Sequence, residues 1–397
     1  MAAPALAPRH ASRWGLVHRW LGLGLGLWFV MVGLSGAMLV WRDELDAWLN
    51  PQWFRARSVG AALDLETVVE RARGELALGW VERIRPPRVP GEALRLQVRA
   101  GPGRVEVGRI EAFIDPASGA LLGVRSLEKL ALDRAHGLRT VYELHRNILL
   151  GEPGSQFVGV AGLLLLTSAV SGAVLAWPRT RSRLRRLLVV NWRANAARLS
   201  LDLHRSAGTL VLVLLLLSTL TGATLVYLNP VRALVSLVSR VQPIPVLPFQ
   251  VAGRDDVGLN LGELAARVQA AYPAHRVAEI RLPERGSSGV LFQLRAEGDV
   301  HRLGDTIAWI HPTTGTLVAE RSGRTRSGGE AFMHWLLPLH VGSAFGGTGL
   351  VLMALAGAAP LLLLATGSWL WWVKRRRRLQ LGAGMAAGSK PMRSAPE

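Results

Sequence analysis

Residues 18–37 read HRWLGLGLGLWFVMVGLSGA, and residues 204–223 read HRSAGTLVLVLLLLSTLTGA. His18-Arg19 matches His204-Arg205, Gly22 matches Gly208, and Ser35-Gly36-Ala37 matches Thr221-Gly222-Ala223, all at an offset of 186 with no gap. Further on, His145, Gly151, Gly154, Ser171-Gly172 and Trp177 recur as His340, Gly346, Gly349, Thr366-Gly367 and Trp372, at an offset of 195. Self-similarity at a fixed period marks a repeated structural unit. The chain is therefore two tandem copies of one unit: apolar helix, large connecting segment, apolar helix.

Both matched stretches are apolar enough to cross a membrane. Half of the chain is hydrophobic, and the mean hydropathy is +0.25. Four stretches lack Asp, Glu, Lys and Arg: Trp20–Trp41, Pro153–Pro178, Ser206–Val231 and Ala331–Val373. A span needs about 20 apolar residues, so each of the first three fits one helix. The fourth is too long for one helix and is interrupted by Pro338, Gly346, Gly347 and Gly349. Its span is expected at Leu350–Val373, after an amphipathic approach. The fold class predicted is an α-helical membrane protein: a four-helix transmembrane bundle from two tandem repeats, carrying two extracytoplasmic α+β domains.

The net charge of +19 is placed for topology rather than for nucleic acid. Arg9, Arg13 and Arg19 precede the first span. Arg179, Arg181, Arg183, Arg185, Arg186, Arg193 and Arg198 fill the middle connection, and Lys374–Arg378 follow the last span. The positive-inside rule puts these in the cytoplasm and the two long segments outside. The expected divisions are a tail (1–15), a first span (16–41), a first external domain (42–140), an external helix with the second span (141–178), a basic loop (179–203), a third span (204–228), a second external domain (229–332), an external approach with the fourth span (333–373) and a basic tail (374–397). The first span reads as an uncleaved anchor. The absence of cysteine excludes disulfides and thiolate chemistry.

Within the external segments, Phe113-Ile114-Asp115-Pro116-Ala117-Ser118-Gly119 matches Trp309-Ile310-His311-Pro312-Thr313-Thr314-Gly315. Each reads as a strand, a Pro-x-x-Gly turn and a returning strand. Helical stretches at Leu65–Leu76 and Leu261–Ala271 precede them, so each segment is expected to fold as a small α+β domain.

The duplication selects four of the ten histidines. Parallel repeats are related by an axis along the membrane normal, so equivalent residues lie at one depth. His18 then faces His204 near the cytoplasmic ends, and His145 faces His340 near the external ends. Neutral imidazole is a common ligand of haem iron. Two facing histidines would make a bis-histidine haem b site, and two such sites an electron path. Gly22 and Gly208, four residues after their histidines and on the same helix face, leave room for a porphyrin. Arg19 and Arg205 are placed to neutralise its propionates. Ser35-Gly36, Ser171-Gly172, Thr221-Gly222 and Thr366-Gly367 read instead as close helix-packing motifs. His334 and His136 stand outside the repeat as candidate substitute ligands. In a continuous helix His145 and His340 would be carried roughly 40 Å from the following Ser/Thr-Gly pair. Breaks are expected at Gly151–Gly154 and Gly346–Gly349, with this outer pair at or above the membrane surface.

The chain resembles the PepSY-associated transmembrane family, which includes iron-regulated membrane proteins and siderophore-iron reductases of bacterial inner membranes. The resemblance rests on His18 with Leu21-Gly22; Trp41-Arg42-Asp43-Glu44-Leu45-Asp46 with Asn50-Pro51; Leu144-His145-Arg146 with Gly151-Glu152-Pro153-Gly154; Leu203-His204-Arg205 with Thr221-Gly222-Ala223; and Pro338-Leu339-His340 with Ala344-Phe345-Gly346. The two Pro-x-x-Gly hairpins are similar to PepSY domains. Membership implies a multi-pass inner-membrane protein with two haems b and with electron delivery to a periplasmic ferric siderophore or similar ferric complex. No flavin or nicotinamide domain follows Arg378, so the expected donor is a quinol or a separate cytoplasmic reductase. The alternative is a non-catalytic, membrane-anchored PepSY module that binds a periplasmic protein or peptidase. A transporter is disfavoured because no Asp or Glu lies within a span.

Overall fold

The computed structural model describes residues 12–58, 60–76, 80–99, 108–178, 180, 187–241, 260–283, 289–323 and 325–388. Arg9 and the loop arginines Arg179, Arg181, Arg183, Arg185 and Arg186 lie outside the described residues.

The first copy begins with α1 (Arg13–Gly24), α2 (Gly26–Leu39), α3 (Arg42–Leu49), α4 (Pro51–Phe54) and α5 (Leu65–Leu76). Strands β1 (Trp80–Arg85), β2 (Leu94–Arg99), β3 (Arg109–Ile114) and β4 (Leu121–Ser126) follow, then α6 (Gly137–Asn147) and α7 (Gly151–Ala176). The second copy has α8 (Ala196–Val226), α9 (Leu228–Ser236) and α10 (Leu261–Ala271). It continues with β5 (His275–Arg281), β6 (Val290–Ala296), β7 (Thr306–Ile310) and β8 (Leu317–Arg321), then α11 (Gly328–Val341) and α12 (Gly346–Gly388).

Three helical segments are long and apolar enough to cross a membrane: α7, α8 and Ser343–Gln380. The first stretch, expected to fit one helix, is broken in two. It is the pair α1 and α2, bent by 65° at Leu25, and counts as a fourth crossing when taken as one span. The run Gly22-Leu23-Gly24-Leu25-Gly26 explains the bend, because glycine weakens helix propagation. Close packing explains other glycines. A Cβ at Gly33 would lie 2.2 Å from the Gly357 carbonyl oxygen, so α2 and α12 touch backbone to backbone there.

The long segments meet in one sheet. All eight strands are antiparallel neighbours in the order β4-β3-β2-β1-β5-β6-β7-β8. The two modules join edge to edge through a short seam, Arg83 opposite Arg281 and Ile84 opposite Ile280. One face of the sheet carries Ile84, Leu96, Ile110, Ile280, Phe292 and Leu294 against Val68 and Val69 of α5 and Leu264 and Val268 of α10, all essentially buried. At about 1.5–3 kcal/mol for each large side chain removed from water, this layer holds the two copies together. The opposite face is charged, and much of that charge is paired. The Arg125 guanidinium lies 2.6 Å from both Asp46 and Glu111, bolting β4 and β3 to α3, the helix that follows α2 directly. Arg302, in the β6–β7 connection, is 2.7 Å from Glu44 on the same helix.

The Pro-x-x-Gly turns show why Asp115 and His311 occupy one repeat position. The Asp115 carboxylate accepts the backbone N–H groups of Arg57 (2.7 Å), Ser58 (2.8 Å), Ala117 (3.0 Å) and Ser118 (3.3 Å). His311 Nδ1 accepts those of Thr313 and Thr314 at 3.2 and 3.3 Å. Both side chains close the turn, and Gly119 (φ +77°) and Gly315 (φ +69°) supply its left-handed residue. Burial alone would raise the Asp115 pKa, but the donors from Ser58, Arg57, Ala117 and Ser118 outweigh it and pull it down to about 2. A carboxyl depressed in the folded state stabilises above its unfolded pKa. Asp115→Asn should therefore cost about 2 kcal/mol near neutral pH, a deficit that shrinks as the pH falls below about 4. Urea unfolding of both proteins at pH 7 and pH 3 measures this, and a deficit equal at the two pH values would reject the role.

Candidate functional site

The helices bring the four repeat-related histidines together in two pairs. The His18 and His204 ring centroids are 6.0 Å apart with planes at 84°. Those of His145 and His340 are 6.3 Å apart at 46°. Each pair takes one histidine from each copy.

All four rings are held alike. His18 Nδ1, on α1, lies 3.0 Å from the Ser168 carbonyl oxygen and 3.2 Å from the Ser171 hydroxyl on α7. His204 Nδ1, on α8, lies 3.1 Å from the Leu363 carbonyl and 3.0 Å from the Thr366 hydroxyl on α12. His145 Nδ1, on α6, lies 3.0 Å from the Val32 carbonyl and 3.2 Å from the Ser35 hydroxyl on α2. His340 Nδ1, on α11, lies 3.1 Å from the Ser218 carbonyl and 3.2 Å from the Thr221 hydroxyl on α8. Every seat is thus a carbonyl and the hydroxyl three residues later, on a helix of the same copy.

This arrangement fixes the tautomer. A carbonyl has no proton to give, so each Nδ1 must be the N–H donor. Each hydroxyl hydrogen is also committed to its own helix: Ser171 to Ser168, Thr366 to Leu362, Ser35 to Met31 and Thr221 to Leu217. In the neutral ring the lone pair then belongs to Nε2, which among the described residues has no hydrogen-bond partner. An imidazole anchored through Nδ1–H to a carbonyl is the form that binds a metal through Nε2.

Glycine completes each seat. A Cβ at Gly172, Gly367, Gly36 or Gly222 would stand 3.0, 3.3, 2.8 or 2.9 Å from the Cε1 of His18, His204, His145 or His340. The Ser/Thr-Gly pairs, expected only as helix-packing motifs, are therefore histidine seats. Their signal was present in the sequence: one pair per span, as many pairs as selected histidines.

The second pair sits deeper than expected. Ile148 (φ 49°), Leu149 (φ 63°) and Gly151 (φ 62°) break α6 from α7, and Gly342 (φ 88°) and Gly346 (φ 60°) break α11 from α12. Both short helices therefore fold back, and their histidines dock on α2 and α8 rather than above the bundle. His204 and Ser218 lie fourteen positions apart on the unbroken α8, which places the two pairs about 21 Å apart along its axis.

Gly22 has no atom within 4 Å of where a Cβ would stand, and Gly208 has only a Leu363 methyl at 3.6 Å. The Nε atoms of Arg19 and Arg205 are buried without a hydrogen-bond partner. Arg205 reaches Asp202 at 3.0 Å through a terminal nitrogen, while Arg19 lies over the Trp20 ring. His136 and His334 stand apart from both pairs, with Nδ1 of His136 2.8 Å from Asp133 and Nε2 of His334 2.8 Å from Asp305. Among the described residues no three His, Asp or Glu side chains gather to hold a metal ion. The pairs suit a metal whose remaining ligands come with it.

Gly222→Ala should lower stability by about 1–3 kcal/mol, because the His340 ring must leave its seat. Gly22→Ala, with open space around it, should cost nothing. Thermal unfolding of the two variants checks the contrast, and equal losses would refute the seat.

A family model described as PepSY-associated TM region matches residues 16–374, nearly the whole chain. No curated protein matches it significantly. The match spans both copies, all four paired histidines and the whole of the shared sheet, and the chain belongs to the PepSY-associated transmembrane family.

Proposed function

We propose that this chain is a multi-pass oxidoreductase of the bacterial inner membrane, with haem b at each histidine pair. It would pass electrons to a ferric siderophore or similar ferric complex on the periplasmic side. The observation that carries the reading is the pairing of Nδ1-anchored imidazoles across the two copies. Two imidazoles that would hold one haem iron between them must stand close without touching ring to ring. The centroid separations of 6.0 and 6.3 Å support this reading.

The surroundings fit the same group. The open space at Gly22 gives a flat macrocycle room beside His18, and the orphaned Nε atoms of Arg19 and Arg205 offer charge-assisted donors to its carboxylates. Haem held by these histidines would supply one-electron exchange. The protein's own part is to fix ring orientation, exclude water with apolar helices and set the spacing between the pairs.

Orientation follows from charge. Arg13, Arg19, Arg193, Arg198 and Lys374–Arg378 cluster at the end near His18 and His204, which the positive-inside rule makes cytoplasmic. The pair His18/His204 then serves the donor, a quinol or a cytoplasmic reductase, and His145/His340 serves the acceptor beneath the sheet. The ferric acceptor rests on the resemblance to siderophore-iron reductases.

Purified full-length protein should show a b-type absorption spectrum on reduction with dithionite. His204→Ala and His340→Ala should each remove about half of the haem, one pair apiece, and the double variant should retain none. Gly22→Leu should lower haem content without lowering stability. A colourless protein at full yield would overturn the redox reading and leave the anchored-module alternative; haem retained in the double variant would overturn the ligand assignment.

A further inference from the structure

The two halves of the sheet correspond residue for residue, down to a bulge in the same place. In the first half, Trp80 faces Arg99 and Val81 faces Val98, Glu82 is the extra residue, and Arg83 faces Gln97. In the second, Arg276 faces Arg295 and Val277 faces Leu294, Ala278 is the extra residue, and Glu279 faces Gln293. The bulge carboxylate of Glu82 lies 2.6 Å from the Arg99 guanidinium. Ala278 takes its place in the second half, so Arg295 has no such partner, and Arg276 stands where the first half has a neutral tryptophan.

Two arginines thus lie directly opposite each other on adjacent strands, an arrangement that destabilises a sheet. Among the described residues neither lies within ion-pair distance of a carboxylate; Arg295 donates to the Arg302 carbonyl at 2.9 Å. Both line an open cleft of ≈ 710 Å³ that also takes in Arg88, from the β1–β2 turn of the other copy. Arg88 is bound to Glu92 at 2.6 Å, and Glu297 stands exposed among the lining residues. Burial, with the nearby charges of Arg295 and Arg88, pulls the Arg276 guanidinium below its ordinary range. The cleft forms only because the seam joins the two copies.

We propose that this seam cleft is an oxyanion site, in which Arg276 and Arg295 bind a phosphate- or carboxylate-bearing ligand and Arg88 is a further lining cation. Planar guanidinium groups match such anions through paired N–H donors, and the volume suits a small polyanion or a headgroup. Two sources share this chemistry. A soluble oxyanion can enter from the aqueous side. A lipid headgroup is the other source considered, since Arg302 of the same β6–β7 connection pairs with Glu44 on α3, directly after α2.

The test uses the full chain in lipid nanodiscs and two variants, Ala278→Glu, which restores the first half's carboxylate, and Arg276→Gln, which removes the opposed charge. Calorimetric titration with inorganic phosphate and with citrate is run in neutral phosphatidylcholine discs. Thermal unfolding is compared between phosphatidylglycerol and phosphatidylcholine discs without added anion. Saturable binding in neutral discs identifies a soluble oxyanion; stabilisation confined to phosphatidylglycerol identifies a headgroup. In either case both variants should weaken the response about tenfold or more. Should one variant fold poorly, the other carries the comparison. The haem spectrum of each folded variant should match the wild type, which separates this site from the redox reading. No saturable binding and no lipid dependence in the wild type, or responses unchanged in the variants, would overturn the proposal.

Discussion

The rest of the structure depends on a hydrogen bond made four times: an imidazole Nδ1–H given to a backbone carbonyl of another helix. In an apolar bundle a buried donor left unpaired costs about 1–3 kcal/mol, so each histidine ring is held in place rather than merely permitted. The bond lies within one copy, α1 to α7 and α6 to α2, then α8 to α12 and α11 to α8. The rings themselves pair between copies, His18 with His204 and His145 with His340. Seating and pairing are thereby separated, and any change in the packing of one copy against the other alters the pairs without disturbing the seats.

The sheet is what constrains that packing beyond the bundle. Its seam has only two paired residues on each strand, yet it is reinforced from both faces. Above it, α5 and α10 share one apolar layer; the first helix caps the second, with the Glu66 carboxylate accepting the Leu261 N–H at 2.9 Å. Below it, Glu279 is fully buried between Arg85 of one copy and Arg281 of the other, at 2.7 and 2.6 Å. A carboxylate so enclosed is held below its usual range by Arg85 and Arg281, which outweigh the burial that would raise it. Such a pair contributes little net stability against an apolar replacement, but loss of one partner strands a buried charge. It therefore fixes the relative position of the copies more than it stabilises them.

Some departures from expectation share one cause. The bend at Leu25 and the inward docking of His145 and His340 come from short non-helical links: a glycine run in one case, left-handed residues in the other. Glycine content announces where a chain can turn, but the direction of the turn is chosen by what the following helix packs against. Gly36 and Gly222 likewise look the same in sequence as packing glycines such as Gly33. Only the ring lying against them distinguishes a seat from a helix contact.

By itself the sequence determined the duplication, the apolar segments, the strand–turn–strand hairpins and the choice of four histidines out of ten. These follow from period and composition, which act locally and are read along the chain. The tertiary structure decided that the two modules form one sheet, that the Ser/Thr-Gly pairs hold the imidazoles, that the second pair lies about 21 Å from the first along α8, and that Arg276 and Arg295 face each other without a carboxylate. Each of these joins residues far apart in sequence, and such contacts are set by which surfaces bury one another.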